Sequence, residues 1–585
     1  MLKEIRLSGI PASPGIGIGK VFIYRKSVQP VARRQVGDVE AELHLLASAL
    51  EKARAEMEDL KGLILERLGE DEARLWEAQL MMLSDPITAE RTVERIKGQR
   101  QDAASAFHEV MEQISAQLET SHSQYLKERG SDVRDIAWRV IKHLQNQGQM
   151  PAVPKDSIVV AHELTAGDVA YLSSQRVQAL VAEVGGQTSH SAIIARSLEI
   201  PMVVGIESLL LQSSLGDQAI ADGVRGLLLL NPGPATLDRY RKQQRSYSRH
   251  VAELKKLRRS RAITRDGHQV ELSANIELPE EVSSVLSHGA KGVGLFRTEF
   301  LYLTSEHLPS EEQQYIIYRR VAERLAPDPV IIRTFDLGGD KIAGHHAEVE
   351  ANPFMGWRAI RFCLDRPDIF REQLRAILRA SAHGHIKLMF PMICCLEELR
   401  QAKQEVLEVK KELREKRIKF DEKCQVGIMV ETPAAALAAV RLAGECDFFS
   451  IGSNDLTQYT LAVDRTNHRV AKRYDPLNPS VLRLIREVIE CGHRAGIWVG
   501  MCGEMCADPL TVPLLLGLGL DELSMNPVSV PEVKRLILNL RLDECRRLAA
   551  RVMEAESAMS ARSLLAEYVL KLFPDLAPLC SVDSD

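Results

Sequence analysis

Four absences narrow this 585-residue sequence before any motif is weighed. No basic segment followed by a long apolar one opens the chain at "MLKEIRLSGIPASPG". The longest apolar stretches, "RGLLLLNPG" and "TVPLLLGLGL", are too short to cross a bilayer. A cytoplasmic protein with no membrane partner is therefore expected. No cysteine precedes Cys363 and none of the ten forms a C-x-x-C pair, so neither a disulfide framework nor a zinc finger fits, and reduced thiols are expected. No charge of one sign dominates: a net charge of -5 gives no general attraction for nucleic acid, so any anion must be held locally. No P-loop of the Gly-x-x-x-x-Gly-Lys-Ser/Thr type is present.

What remains is a globular composition, 45% hydrophobic and 26% charged, on a chain long enough for roughly two to four domains. Residues 1–30 mix Gly, Pro and Val/Ile, and "GIGIGKVFIYR" alternates like a strand pair. From Glu40, residues Leu43, Leu46, Leu50, Ala53, Met57, Leu60 and Ile64 recur at steps of three and four, one face of a long helix. Further helical segments run to about Gln147, with breaks expected at "SDP" (84–86), "SHSQ" and "RGSD". The β-type runs "SIVVA", "VQALVAE", "IPMVVG" and "RGLLLL" then follow. The simplest topology is an α/β domain from 1–32 and 149–232, interrupted by an all-α insertion at 33–148. The charged stretch 233–261 reads as a linker helix.

From 262 to 585 strand and helix alternate. The strands "VELSANI", "GVGLF", "PVIIRTF", "IKLMFPMI", "QVGIMVE", "CDFFSIG", "GIWVGMC" and "DELSMN" suit a (β/α)8 barrel better than an open doubly wound sheet. Barrel chemistry belongs at strand C-termini. There stand Arg297, Arg333, Glu431, the pair Asn454 and Asp455 with Arg465 beyond them, and Cys502. Three arginines on three loops make a site for a polyanion. Glu431 and Asp455 would leave most of a magnesium shell open for water and substrate oxygens. Each charge taken alone is equally a rim salt bridge; five such strand ends in one domain argue for a site. Cys502 is either a small buried hydrophobe or a proton donor above the anion. Cys506 reads as structural.

The stretch "GGQTSHSAIIARSLEIPMVVG" sets His190 at the expected start of a helix, where backbone amides favour a phosphoryl group and a neutral imidazole can act as nucleophile. Alone, "TSH" is also an ordinary cap in which Thr188 or Ser189 does the capping.

"GGQTSHSAIIAR" and "DFFSIGSNDLTQYTLAVDR", with "ASPGIGIGKVF", "EAQLMMLSDP", "GLFRTEFLY", "RTFDLGGDK", "NPFMGWRAIR", "GIMVETPAAA" and "VGMCGEM" in the same order, resemble Enzyme I of the bacterial sugar phosphotransferase system, the phosphoenolpyruvate-protein phosphotransferase family. The resemblance implies a swivelling phosphohistidine domain. His190 would take the phosphoryl group, while Arg297, Arg333, Asn454 and Arg465 hold phosphoenolpyruvate. Arg358 would be a further contact. Glu431 and Asp455 would bind Mg2+, the Asp455 backbone would also lie near the substrate, and Cys502 would protonate the product. The helical insertion would dock the histidine phosphocarrier HPr, and the barrel would form a homodimer. Three positions depart from the family pattern: Gln187 and Gln79, and Val169 where many members carry a threonine. Two alternatives are weaker. A nitrogen-type paralogue would usually carry an extra N-terminal sensory domain. Pyruvate phosphate dikinase and phosphoenolpyruvate synthase need an ATP-binding domain for which there is no room.

Overall fold

The computed structural model describes residues 4–25, 31, 33–68, 76, 79–119, 124–145, 153–186, 189–303, 308–338, 352–465, 467 and 469–576. They form two compact units, 1–252 and 253–585.

In the first unit, β1 (Ile5–Ser8), β2 (Ile10–Ser13) and β3 (Ile16–Ile23) join β4 (Ser157–Ala161), β5 (Ala179–Ala182), β6 (Met202–Val204), β7 (Gln218–Asp222) and β8 (Leu227–Leu230) in one sheet. The order is β1-β8-β7-β3-β4-β5-β6-β2. Strands β3 to β6 run parallel, and β7 pairs antiparallel with both β3 and β8. The period of two sorts β4 between two cores: Val159 and Ala161 pack in one, Ile158 and Val160 in the other. Both faces are covered, which is why the strand reads as an unbroken apolar run.

The stretch "GIGIGKVFIYR" holds one eight-residue strand, not a pair, because the alternating residues form a single central strand with β4 on one edge and β7 on the other. Strand β7 escapes a sequence reading; its "QAIAD" is too short and mixed to stand out.

Between β3 and β4 lie helices α1 (Val39–Leu68), α2 (Pro86–Gln99), α3 (Ala103–Glu119) and α4 (Gln124–Leu144). Asp85 caps α2 by accepting the Thr88 N–H at 3.0 Å, with Pro86 at the first helical position, so "SDP" is a true break. "RGSD" is not a break. Helix α4 runs through it, and the Gly130 carbonyl accepts the Ser115 hydroxyl of α3. A mid-helix glycine costs about 1 kcal/mol, which the long α3–α4 packing offsets. The apolar face of α1 serves two cores. Leu46, Ala53 and Met57 pack with Phe107 and Ile136 in the bundle, whereas Leu60 and Ile64 join the sheet core.

A buried polar seam accompanies this junction. Tyr24 donates to Asp168 at 3.0 Å, and Arg139 bonds Asp135 at 3.1 Å and Glu56 at 2.7 Å. After β8, helix α5 (Pro234–Lys256) seats Tyr240 against Ile220 and Leu229, then gives way to a 3-10 turn at Leu257–Arg259.

The second unit is a closed, all-parallel eight-stranded barrel: β9 (Glu271–Ile276), β10 (Val293–Phe296), β11 (Val330–Arg333), β12 (Ile386–Phe390), β13 (Val426–Val430), β14 (Phe448–Ile451), β15 (Trp498–Met501) and β16 (Glu522–Met525), with β16 paired to β9. Each strand read from the sequence is present. Leu295, Ile331, Met389, Met429 and Phe448 fill the interior, and the larger core lies outside, under the helices. Among the described residues no helix is long and apolar enough to cross a membrane.

Candidate active site

The C-terminal ends of the barrel strands carry the charged residues. Arg333, the last residue of β11, is 7% exposed. Its Nη2 donates to Glu299 at 3.0 Å and its Nη1 lies 3.0 Å from Asp336 Oδ2. Asp336 in turn accepts both Nε (3.1 Å) and Nη2 (2.8 Å) of Arg358. Glu299 thus fixes one arginine and Asp336 two, so Arg333 is oriented by one carboxylate from the loop after β10 and one from its own loop. Burial alone would lower the Arg333 guanidinium, but Glu299, Asp336, Glu431 and Asp455 override it and hold it above its ordinary value. Its Nε–H has no partner.

Glu431 follows β13 and is fully buried. Its Oε1 accepts the Met392 N–H at 2.6 Å; its Oε2 has no partner. Burial, and then Asp336 and Asp455, push its carboxyl up to about 8. Asp455 lies in the first turn of α6 (Ser453–Leu461), directly after β14. Two mutually repelling acids, one with an oxygen that no protein group satisfies, have the chemistry of a cation donor set. A divalent ion that takes two carboxylates and completes its shell with water or ligand oxygens fits it. No group of three or more His, Cys, Asp or Glu side chains that could hold a metal occurs among the described residues.

Arg297, just past β10, pairs with Glu277 at the rim. Cys502, just past β15, is buried with its Sγ 3.8 Å from the Ile451 carbonyl. Burial is the main cause that moves its thiol up to about 11; Glu431 pushes the same way, while Arg333 and Arg297 oppose it. These four side chains are therefore electrostatic neighbours. A thiol so raised keeps its proton at neutral pH, as a donor must. Gly503 makes the placement possible: a Cβ there would sit 1.7 Å from Ser453 Oγ.

Asn454 and Arg465 form the other side. The Asn454 amide donates to Glu504 at 3.1 Å and accepts the Glu504 N–H at 3.0 Å, while Arg465 Nη1 donates to Glu504 at 3.3 Å. The structure therefore gathers the sequence-expected barrel residues around one rim. It adds Glu299, Asp336 and Glu504, acids that lie inside the quoted segments "RTEF", "RTFD" and "CGEM" beside the residues singled out. Cys506 is buried and bonds the Met501 carbonyl, a structural thiol.

In the first unit His190 opens the short helix His190–Ser197. Ser189 is the cap, its Oγ accepting the Ala192 N–H at 3.3 Å and donating to the Gly186 carbonyl at 2.9 Å. Gly185 takes φ 141°, a conformation open to glycine. Gln187 and Thr188 lie outside the described residues. Val169 is buried in one core with Ala192 and Ala195, so an apolar contact stands where a hydroxyl would offer a hydrogen bond. Gln79 is also buried.

Residues 8–129 match the family model described as PEP-utilising enzyme, N-terminal, residues 153–226 that of the mobile domain, and residues 251–542 that of the PEP-binding domain. The chain is 43% identical over 575 residues to a phosphoenolpyruvate-protein phosphotransferase of Geobacillus stearothermophilus, covering 98% of this chain and 99% of that one. It is 44% identical over 543 residues to the protein of that name from Priestia megaterium, with 92% and 94% covered. For that of Staphylococcus carnosus (strain TM300) it is 40% over 571 residues, with 97% and 99% covered.

Proposed function

The chain belongs to the phosphoenolpyruvate-protein phosphotransferase family, and from that premise we propose a two-step relay through His190 to the histidine phosphocarrier HPr. Phosphoenolpyruvate sits at the barrel rim. Arg297, Arg333 and Arg358 pair its phosphoryl and carboxylate oxygens, with Asn454 and Arg465 completing the pocket. Glu431 and Asp455 hold Mg2+, which when bound neutralises charge on the substrate's oxygens, and the Asp455 backbone lies near the substrate. An imidazole nitrogen of His190 attacks phosphorus in line. The N–P bond forms as the bond from phosphorus to the enol oxygen breaks. The released electron pair becomes an enolate, whose C3 takes the proton of the Cys502 thiol to give pyruvate; solvent later returns that proton.

The phosphorylated domain (1–32 and 149–232) then presents its group to HPr on the helical insertion (33–148). The linker helix (233–261) allows the exchange, and the barrel (262–585) is the dimerisation unit. One observation carries this reading: a buried arginine N–H and a buried carboxylate oxygen, both without a protein partner, on adjoining charged groups of the barrel rim. Such groups are costly unless something else completes them.

The test is incubation with Mg2+ and phosphoenolpyruvate labelled in its phosphoryl group. An acid-labile, alkali-stable phosphoprotein is expected, and none in His190→Ala. Label retained by that variant would reject the nucleophile.

A further inference from the structure

Glu504 opens the 3-10 turn Glu504–Cys506, two residues after Cys502, and makes three bonds to two residues. Its backbone N–H donates to Asn454 Oδ1 at 3.0 Å. Its carboxylate accepts from Asn454 Nδ2 at 3.1 Å and from Arg465 Nη1 at 3.3 Å. The backbone bond sets which way the Asn454 amide faces, presenting its NH2 group as the donor. The carboxylate then claims that donor and the neighbouring guanidinium. Those are the two groups that, on the reading proposed above, receive the anionic oxygens of phosphoenolpyruvate.

We infer that Glu504 is a positioning residue with two separable effects: its backbone orients Asn454, and its carboxylate competes with the substrate for Asn454 and Arg465 and so sets substrate affinity. The inference rests on the proposed site. The competition is physical. A substrate oxygen bringing negative charge to the same donors is repelled by the carboxylate until that side chain withdraws. Withdrawal is easy, because the Glu504 side chain is 79% exposed and Arg465 37%, and an exposed ion pair is worth little. The carboxylate therefore selects for strong anions: a phosphate dianion displaces it, a weakly charged ligand does not.

Removing the charge while keeping the backbone isolates the effect. In the full chain carrying His190→Ala to prevent turnover, phosphoenolpyruvate binding with Mg2+ is measured by titration calorimetry. Glu504→Gln is expected to bind about two- to fivefold more tightly, the span an exposed pair supports. The gain should shrink when Arg465→Ala is added, since Asn454 is then the one contested donor left. With His190 present, KM should fall by more than kcat changes, a split that a merely structural role would not produce. Unchanged or weaker binding in Glu504→Gln, or a gain left undiminished by Arg465→Ala, overturns the competition. If the His190→Ala parent does not bind phosphoenolpyruvate and the wild-type chain is not labelled, the site assignment itself fails. If the parent binds and Glu504→Gln gains nothing, only the role of Glu504 fails.

Discussion

Arg333 offers the sharpest test of the barrel site, because one side chain is both a structural counter-ion and a substrate donor. Replacing it with alanine leaves Glu299 without its 3.0 Å donor and Asp336 with Arg358 alone, beside the buried Glu431. Breaking a buried pair by removing one partner costs about 3–5 kcal/mol. Since Arg358 still serves Asp336, the lower end applies, about 3 kcal/mol. The cysteines provide a reporter confined to the barrel: all ten lie at position 363 or beyond, inside the 253–585 unit. Native-state alkylation of the buried Cys424, Cys446 and Cys545 then tracks opening of that unit alone. A loss of about 3 kcal/mol should speed it about 150-fold.

Arg333→Lys keeps the charge but not the planar fork. It should alkylate much more slowly than the alanine variant yet bind phosphoenolpyruvate about 10–100-fold more weakly, the worth of one charge-assisted hydrogen bond. Alkylation of Arg333→Ala within threefold of wild type would refute the counter-ion argument. A lysine variant with unaltered KM would refute the fork.

Cys502→Ala should slow pyruvate formation by about 10²–10⁴-fold, read in a coupled pyruvate assay; unchanged turnover removes the thiol as donor. With its thiol raised to about 11 by burial, Cys502 should also resist iodoacetamide at pH 8 in the folded protein. At the opposite end of the barrel, burial pushes Glu522 up to about 7, against hydrogen bonding from Ser273 and the charge of Lys387. Between its ordinary value of 4.5 and about 7, the folded state binds more protons than the unfolded, so this group costs stability as pH rises and the cost is complete above about 7. Glu522→Gln should gain about 2–3 kcal/mol on wild type between pH 5 and pH 8, measured by the same alkylation rates. A pH-independent difference would contradict the assignment.

Much of the architecture was legible because its signals are local. The eight barrel strands are short apolar runs ending in Arg297, Arg333, Glu431, Asp455 and Cys502, and a side chain's place at a strand terminus follows from the chain alone. The cap at Asp85 and the helix start at His190 are local in the same way. The continuity of α4 through "RGSD" was not legible, since it depends on packing against α3, and β7 was missed because "QAIAD" is short and mixed and becomes a central strand only when the distant β3 pairs on the side away from β8.

For this protein the amino-acid order alone determined most of the strands and helices, the eight barrel strands among them, and which residues stand at their ends. Hydrophobic period, caps and turn residues act within a few positions. Only the tertiary structure decided that Asp336 serves both Arg333 and Arg358, that Glu504 holds Asn454 and Arg465 together, and that α1 divides its apolar face between two cores. Those are choices of partner rather than of conformation, and they arise when strands far apart in the chain close into a sheet or barrel and bury charges that must then be matched.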